Sequence, residues 1–335
     1  METKEQLEII NIIKGIGILL VLIGHFNPTV SFSNEGYDFL HRVIYSFHMP
    51  LFMLVSGFLY SFNKKEPFSY SRFVKRKAFR LIIPYFSWCM LILIFKFAGA
   101  IVVKLQYPIQ NDFLYRIFVC PLGGYATFLW FIYTLFLILL IYPLLEKWMN
   151  SVVLTLICFA IFFIPLPVQF SLNLVGYYLL FFHIGSILHK HGFIFKIQKF
   201  TTIIQSGLSV LCLIFLDLIV GFGTDISIVD KWLAFVKAIL GISVVLFLST
   251  VVCKTEVGLK KVFLKIGVYS AAIYLLHTFT MAIFRLPAEK YIGYTPVSFY
   301  IIGLLSVVGG TILAMLLTKY VIRKWKSLKF LLLGE

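Results

Sequence analysis

Two side chains in the stretch Asn11–Phe26, NIIKGIGILLVLIGHF, are of a kind that can carry chemistry: Lys14 and His25. If the stretch is helical, eleven residues at about 100° each put both on one face, about 16 Å apart along the axis. The positions between them are aliphatic or glycine, as in a helix immersed in lipid. Ionisable groups are costly there, so each marks a functional site by default. The blander reading has Lys14 snorkelling to the interface and His25 capping the helix end. A histidine titrating near neutrality is suited to accept a proton from an alcohol, and a cation can hold or polarise an acidic partner.

The elements that must position these groups follow from composition. Of 335 residues, 61% are hydrophobic and only 13% charged. Such a chain cannot form a water-soluble globule, and reads as an all-α, polytopic membrane protein. Hydrophobic segments near 11–28, 40–62, 81–103, 126–145, 151–168, 172–189, 202–221, 232–252, 266–285 and 298–318 predict about ten transmembrane helices. The fifth is marginal and ends in Pro165 and Pro167. The start, METKEQLEII, lacks the basic region and cleavage site of a signal peptide, so the first segment is expected to be retained. There is no internal repeat, low-complexity tract or soluble domain, and residues 1–335 read as a single transmembrane domain. Five scattered cysteines, without a CxxC, read as packing residues rather than disulfides or a metal site.

The net charge of +16 could suggest nucleic acid, but its distribution argues against that partner. With the N-terminus inside, Lys and Arg favour the inner segments by about four to one. Lys196 and Lys199 count among the inner residues; Lys104, Arg116, Lys231, Arg285 and Lys290 are outer. Both termini are therefore expected in the cytoplasm, with the lipid bilayer as the partner of the charge. One cluster exceeds this need. In YSRFVKRKAFRLIIPYFSW, at the cytosolic mouth, Arg76, Lys77 and Arg80 belong to a run of basic residues that could grip a phosphate-bearing ligand. Binding of lipid headgroups is the structural alternative.

Topology turns scattered histidines into a constellation. His25, His48 and His277 fall at similar depth in the outer half of the membrane, and Trp130 and Tyr133 enter the fourth span at about that level. His48 precedes Pro50 in SFHMPLFMLVSGFLY, where proline frees a carbonyl and predicts irregular backbone around a cavity. Ser270, Tyr274 and His277 form an i, i+4, i+7 polar edge. His183 lies deeper, His189 and His191 read as solvated loop residues, and His41 as interfacial. Asp217 is an acid within a span, near its outer end, with no identifiable partner. No GxSxG, Walker A, HExxH or GxGxxG pattern occurs, so hydrolase, P-loop and zincin chemistry find no support, and no metal site is expected. A histidine-based transferase remains, alongside an exporter or flippase of a polysaccharide or lipid-linked sugar whose histidines line a passage.

The segments KGIGILLVLIGH (14–25), FHMPLFMLVSGFLY (47–60), KAFRLIIPYFSW (77–88), TFLWFIYTLF (127–136) and IGVYSAAIYLLH (266–277) together resemble acyltransferase family 3. These are integral-membrane O-acyltransferases of cell-envelope glycans. The resemblance implies that Lys14 and His25 are required, with His25 as general base and Lys14 holding the donor or polarising its thioester oxygen. It implies cytosolic acetyl-CoA as co-substrate, with no bound cofactor, and Lys77 and Arg80 match the family's donor-associated R-x-x-R. The acceptor would be a hydroxyl of an envelope glycan or lipid-linked sugar at the bacterial cell membrane. His48 and His277 would orient the acceptor or relay protons, with Trp130, Tyr133 and Tyr274 as substrate contacts. Two departures stand out. Asn11 occupies a position where the family often has aspartate, which leaves Lys14 without an acidic partner there. No hydrolase domain of the SGNH type is appended.

Overall fold

In lipid, backbone N–H and C=O groups must be satisfied within the segment, and a helix does so. The computed structural model describes residues 2–26, 32, 34–102, 112–124, 126–192, 203–220, 228–255 and 257–335, which are helical with no strand among them. Lys104, Lys196 and Lys199, used in the charge argument, lie outside the described residues. The helices are α1 (Glu2–Gly24), α2 (Glu35–Phe62), α3 (Tyr70–Val102), the short α4 (Phe113–Phe118), α5 (Trp130–Trp148), α6 (Ser151–Phe163) and α7 (Leu172–Lys190). They continue with α8 (Ile203–Val220), α9 (Ile228–Lys254), α10 (Val257–Ile292), α11 (Pro296–Tyr320) and a short α12 (Lys326–Leu333).

Eight of these are long and apolar enough to cross a membrane, and two more, α6 and α8, are apolar but shorter. The protein is an all-α, multi-pass membrane protein. The ten expected segments all appear as helices, though α6 has only 13 residues, about 20 Å of helix against a hydrocarbon core of about 30 Å. Its ends are set locally. Asn150 caps it by accepting from the Val153 N–H at 2.9 Å, and it stops short of Pro165. Other bounds also move. α1 ends at Gly24, α3 starts at Tyr70 so that the basic run lies on its first turns, and α2 runs as one helix through Pro50.

The chain forms two compact units. One comprises Met1–Phe62 and Ile184–Val321, the other Asn63–His183 and Ile322–Glu335, so α7 is divided between them.

In the first unit α1 lies directly against α10. A Cβ on Gly267 would collide with the Asn11 carbonyl oxygen, and one on Gly15 with that of Phe263. Membrane helices gain no hydrophobic drive from associating, so backbone approach through small residues is what holds them. At the start of the same helix pair Lys260 bridges Glu8 at 2.9 Å. Asp217, for which the sequence offered no partner, is buried on α8 between Arg42 of α2 at 3.1 Å and Lys237 of α9 at 3.3 Å. His189 also departs from the solvated reading: it closes α7 between the Phe58 and Phe62 rings with Nδ1 2.9 Å from Ser61 Oγ.

In the second unit α12 lies along α3, and Trp88 Nε1 donates to the Leu332 carbonyl at 3.1 Å. His183 is held by two hydroxyls. Thr155 Oγ1 donates to the Ser151 carbonyl, so it accepts from His183 Nε2–H, and Tyr142 then donates to Nδ1. This is a satisfied buried histidine. Of the cysteines, all free, Cys89 and Cys158 are buried as expected, whereas Cys212 is exposed.

Candidate functional site

The site in the first unit begins where α1 ends. The last carbonyls of a helix have no intrahelical donor. Here the His25 backbone N–H reaches the Val21 carbonyl at 2.9 Å, and its ring Nδ1 lies 2.9 Å from the same oxygen. A carbonyl only accepts, so Nδ1 carries the proton, and in the neutral ring Nε2 is the basic atom. The capping reading of His25 is therefore correct for one nitrogen and leaves the other for chemistry. Tyr37 of α2 secures the same turn, its hydroxyl lying 2.8 Å from the Ile23 carbonyl and 2.6 Å from that of Phe26.

His48 and His277 repeat the arrangement. Nδ1 of His48 lies 2.8 Å from the Ile44 carbonyl, and that of His277 lies 2.6 Å from the Tyr274 carbonyl. Three histidines from three elements thus share one tautomer, each set by its own backbone. The α1–α10 contact brings the His25 and His277 rings edge to face, with centroids 4.9 Å apart. His48 joins through Tyr45, whose ring lies 4.7 Å from His48 and 5.9 Å from His25. His41 stacks on Tyr45 at 4.0 Å. His48 and His277 are buried, and Tyr274 stacks on His277 at 6.0 Å. Sequence reasoning missed Tyr45 and Tyr37. The signal for Tyr45 was present, because His41, Tyr45 and His48 repeat the i, i+4, i+7 spacing of Ser270, Tyr274 and His277.

Lys14 is not part of the histidine cluster. It lies about three turns back along α1, and its Nζ donates to Asn11 Oδ1 at 3.0 Å. The missing carboxylate is thus replaced by a neutral acceptor: the ammonium is oriented but not neutralised.

The remaining candidates belong to the second unit. Arg76 and Arg80 are exposed on the first turns of α3, and Lys77 Nζ lies 5.5 Å above the Phe73 ring. Trp130 opens α5 and stacks on Tyr178 at 5.4 Å. Tyr133 donates its hydroxyl to the Phe118 carbonyl at 3.0 Å.

Comparison with known proteins decides the family. The family model for the acyltransferase domain of family 3 matches residues 7–316. The chain belongs to acyltransferase family 3. The chain is similar to the nodulation protein NolL of Sinorhizobium fredii (strain NBRC 101917 / NGR234), 32% identical over 169 residues, covering 46% of this chain and 43% of that one. It also resembles the nodulation protein NolL of Mesorhizobium japonicum (strain LMG 29417 / CECT 9101 / MAFF 303099), 33% identical over 129 residues, or 37% of this chain and 32% of the relative. The chain thus spans less than half the length of these curated relatives. No solved structure matches it.

Proposed function

We propose that this acyltransferase moves an acetyl group from cytosolic acetyl-CoA to a hydroxyl of a cell-surface glycan or glycolipid, from the bacterial cell membrane, with ten spans and both termini in the cytoplasm. The observation that carries the reading is the His25–His277 pair, two imidazoles at 4.9 Å whose Nδ1 atoms are both engaged by their own helices. His25 Nε2 takes the proton of the acceptor hydroxyl as its oxygen attacks the thioester carbon, and returns a proton to the leaving CoA thiolate. His48 and His277 orient the acceptor or relay that proton, with Tyr274, Trp130 and Tyr133 as acceptor contacts. Lys14 holds the pantetheine arm or stabilises charge on the thioester oxygen. Arg76, Lys77 and Arg80 hold the donor phosphates.

The test follows from the cap. His25→Asn keeps an N–H where Nδ1 bonds Val21, but removes the basic nitrogen. It should insert normally and lose about 10²–10⁴-fold in turnover, the range for a positioned acid–base group. Lys14→Arg should keep much of the activity and Lys14→Ala should lose it. If Lys14 mainly binds donor, high acetyl-CoA restores the alanine variant; if it acts in the transition state, saturation does not. CoA release by purified, folding-checked protein is the readout, and near-normal turnover by His25→Asn would sink the mechanism. A detergent-solubilised exporter would release no CoA.

A further inference from the structure

Beside His25 the wall of the first unit opens into a groove of about 200 Å³, lined among others by Ile23, Phe26, Tyr37, Leu40, Gly303 and Leu304. Its rim residues Leu40 and Leu304 are 42% and 67% exposed and belong to membrane-spanning helices. The mouth therefore opens on the exposed face of helices long and apolar enough to cross a membrane. The two hydroxyls at its edges are already engaged: Tyr37 with the carbonyls of Ile23 and Phe26, and Tyr300 donating to Asn34 Oδ1 at 3.0 Å. Such walls suit methylenes, not a sugar, phosphate or nucleotide. The volume is below the roughly 300–1,000 Å³ of pockets that enclose a whole small ligand, so it suits part of a chain. Gly303 keeps the groove open, since even a Cβ there would come within 3.3 Å of the Phe26 ring.

We propose that this groove seats the hydrocarbon chain of a lipid-linked acceptor and thereby presents the acceptor's head group to His25. The proposal rests on the reading of His25 as the base. Its strength lies in a shared turn: Phe26 walls the groove, His25 precedes it, and Tyr37 holds the turn through the Ile23 and Phe26 carbonyls. A chain seated against Phe26 enters sideways from the bilayer and fixes where its polar end can lie. A bulk lipid tail would fit the same walls but would not couple to turnover.

The test uses the full chain in nanodiscs with two probes, a long-chain alkyl glycoside carrying a diazirine in its tail and the methyl glycoside of the same sugar. In the unaltered protein, photolabel should appear in α11. Gly303→Leu, filling the floor, should cut that labelling and lower the long-chain to methyl ratio of kcat/KM at least tenfold, because a misplaced acceptor loses orientation. Leu40→Trp, filling from the exposed rim, should do the same if Gly303→Leu folds poorly. Unchanged labelling in both variants overturns the groove. So does a parallel fall for both glycosides, the signature of packing or bulk lipid, and so does label that crosslinks a second copy. Labelling does not depend on turnover, so normal turnover in His25→Asn with labelling intact overturns the base and not the groove.

Discussion

Each of the three clustered histidines bonds a carbonyl of its own helix through Nδ1, so the tautomer is decided locally and Nε2 is the basic nitrogen of the neutral ring. In the proposed mechanism one imidazole ring would hold backbone and move a proton at once. Lys14 is a different case. Its ammonium points at an amide oxygen, and a hydrogen bond to a charged group is worth about 1.5–3 kcal/mol. Asn11→Ala should therefore lower turnover about ten- to a hundredfold if Lys14 acts from that position. Asn11→Asp, which restores the family's commoner residue, should keep activity. Steady-state assays on the two variants decide it, and full activity in Asn11→Ala would mean Lys14 does not need the anchor.

At the scale of elements, the cluster depends on how closely α1 and α10 approach. Gly267→Ala would place a methyl group inside the Asn11 carbonyl, whereas a Cβ on Gly207 in α8 meets nothing within 4 Å. Gly267→Ala should lower thermal stability and turnover together, since it pries Asn11 and the His25 helix from His277. Gly207→Ala should be neutral or stabilising by up to about 1 kcal/mol, as alanine is the better helix former. Equal behaviour of the two would dismiss the crossing as the positioning device. A second strut ties α2, α8 and α9 through Asp217, with Lys237 only 9% exposed. Asp217→Leu removes the carboxylate that Lys237 and Arg42 share and should cost about 3–5 kcal/mol, much of which Asp217→Leu with Lys237→Leu recovers. Thermal unfolding in detergent would show the recovery, and no difference between single and double variants would make the pair energetically idle.

For the whole molecule, the directional question is which ends of the helices face the cytosol. The charge bias predicts residues 63–69, between α2 and α3, inside, and the turn near Tyr291 outside. In a background without the five native cysteines, a cysteine at 63–69 should be protected in intact cells from membrane-impermeant maleimide. One at Tyr291, which is 80% exposed, should react. The reverse pattern would put the histidine cluster near the cytosolic face and require an acceptor from that side.

The sequence by itself determined the class of the molecule. Long apolar runs broken by Pro, Gly and charge can only be lipid-embedded helices, and their near-complete recovery from α1 to α11 reflects that single constraint. It also exposed the residues out of place in lipid, including Lys14, His25, His48, His277 and Asp217, because cost is visible one residue at a time. Ends of helices were less legible: the last turn of α1 and the first turns of α3 are polar or glycine-bearing, and hydropathy alone does not mark where such a helix stops. Neighbours were illegible. Depth grouped His25, His48 and His277, but a helix surrounded by lipid needs no amphipathic stripe to name its partner, so the sequence did not say which rings touch, nor did it join Asp217 to Lys237 or His189 to Ser61. Those pairings come from glycine crossings and buried polar contacts between residues far apart in the chain, and only the tertiary structure decides them.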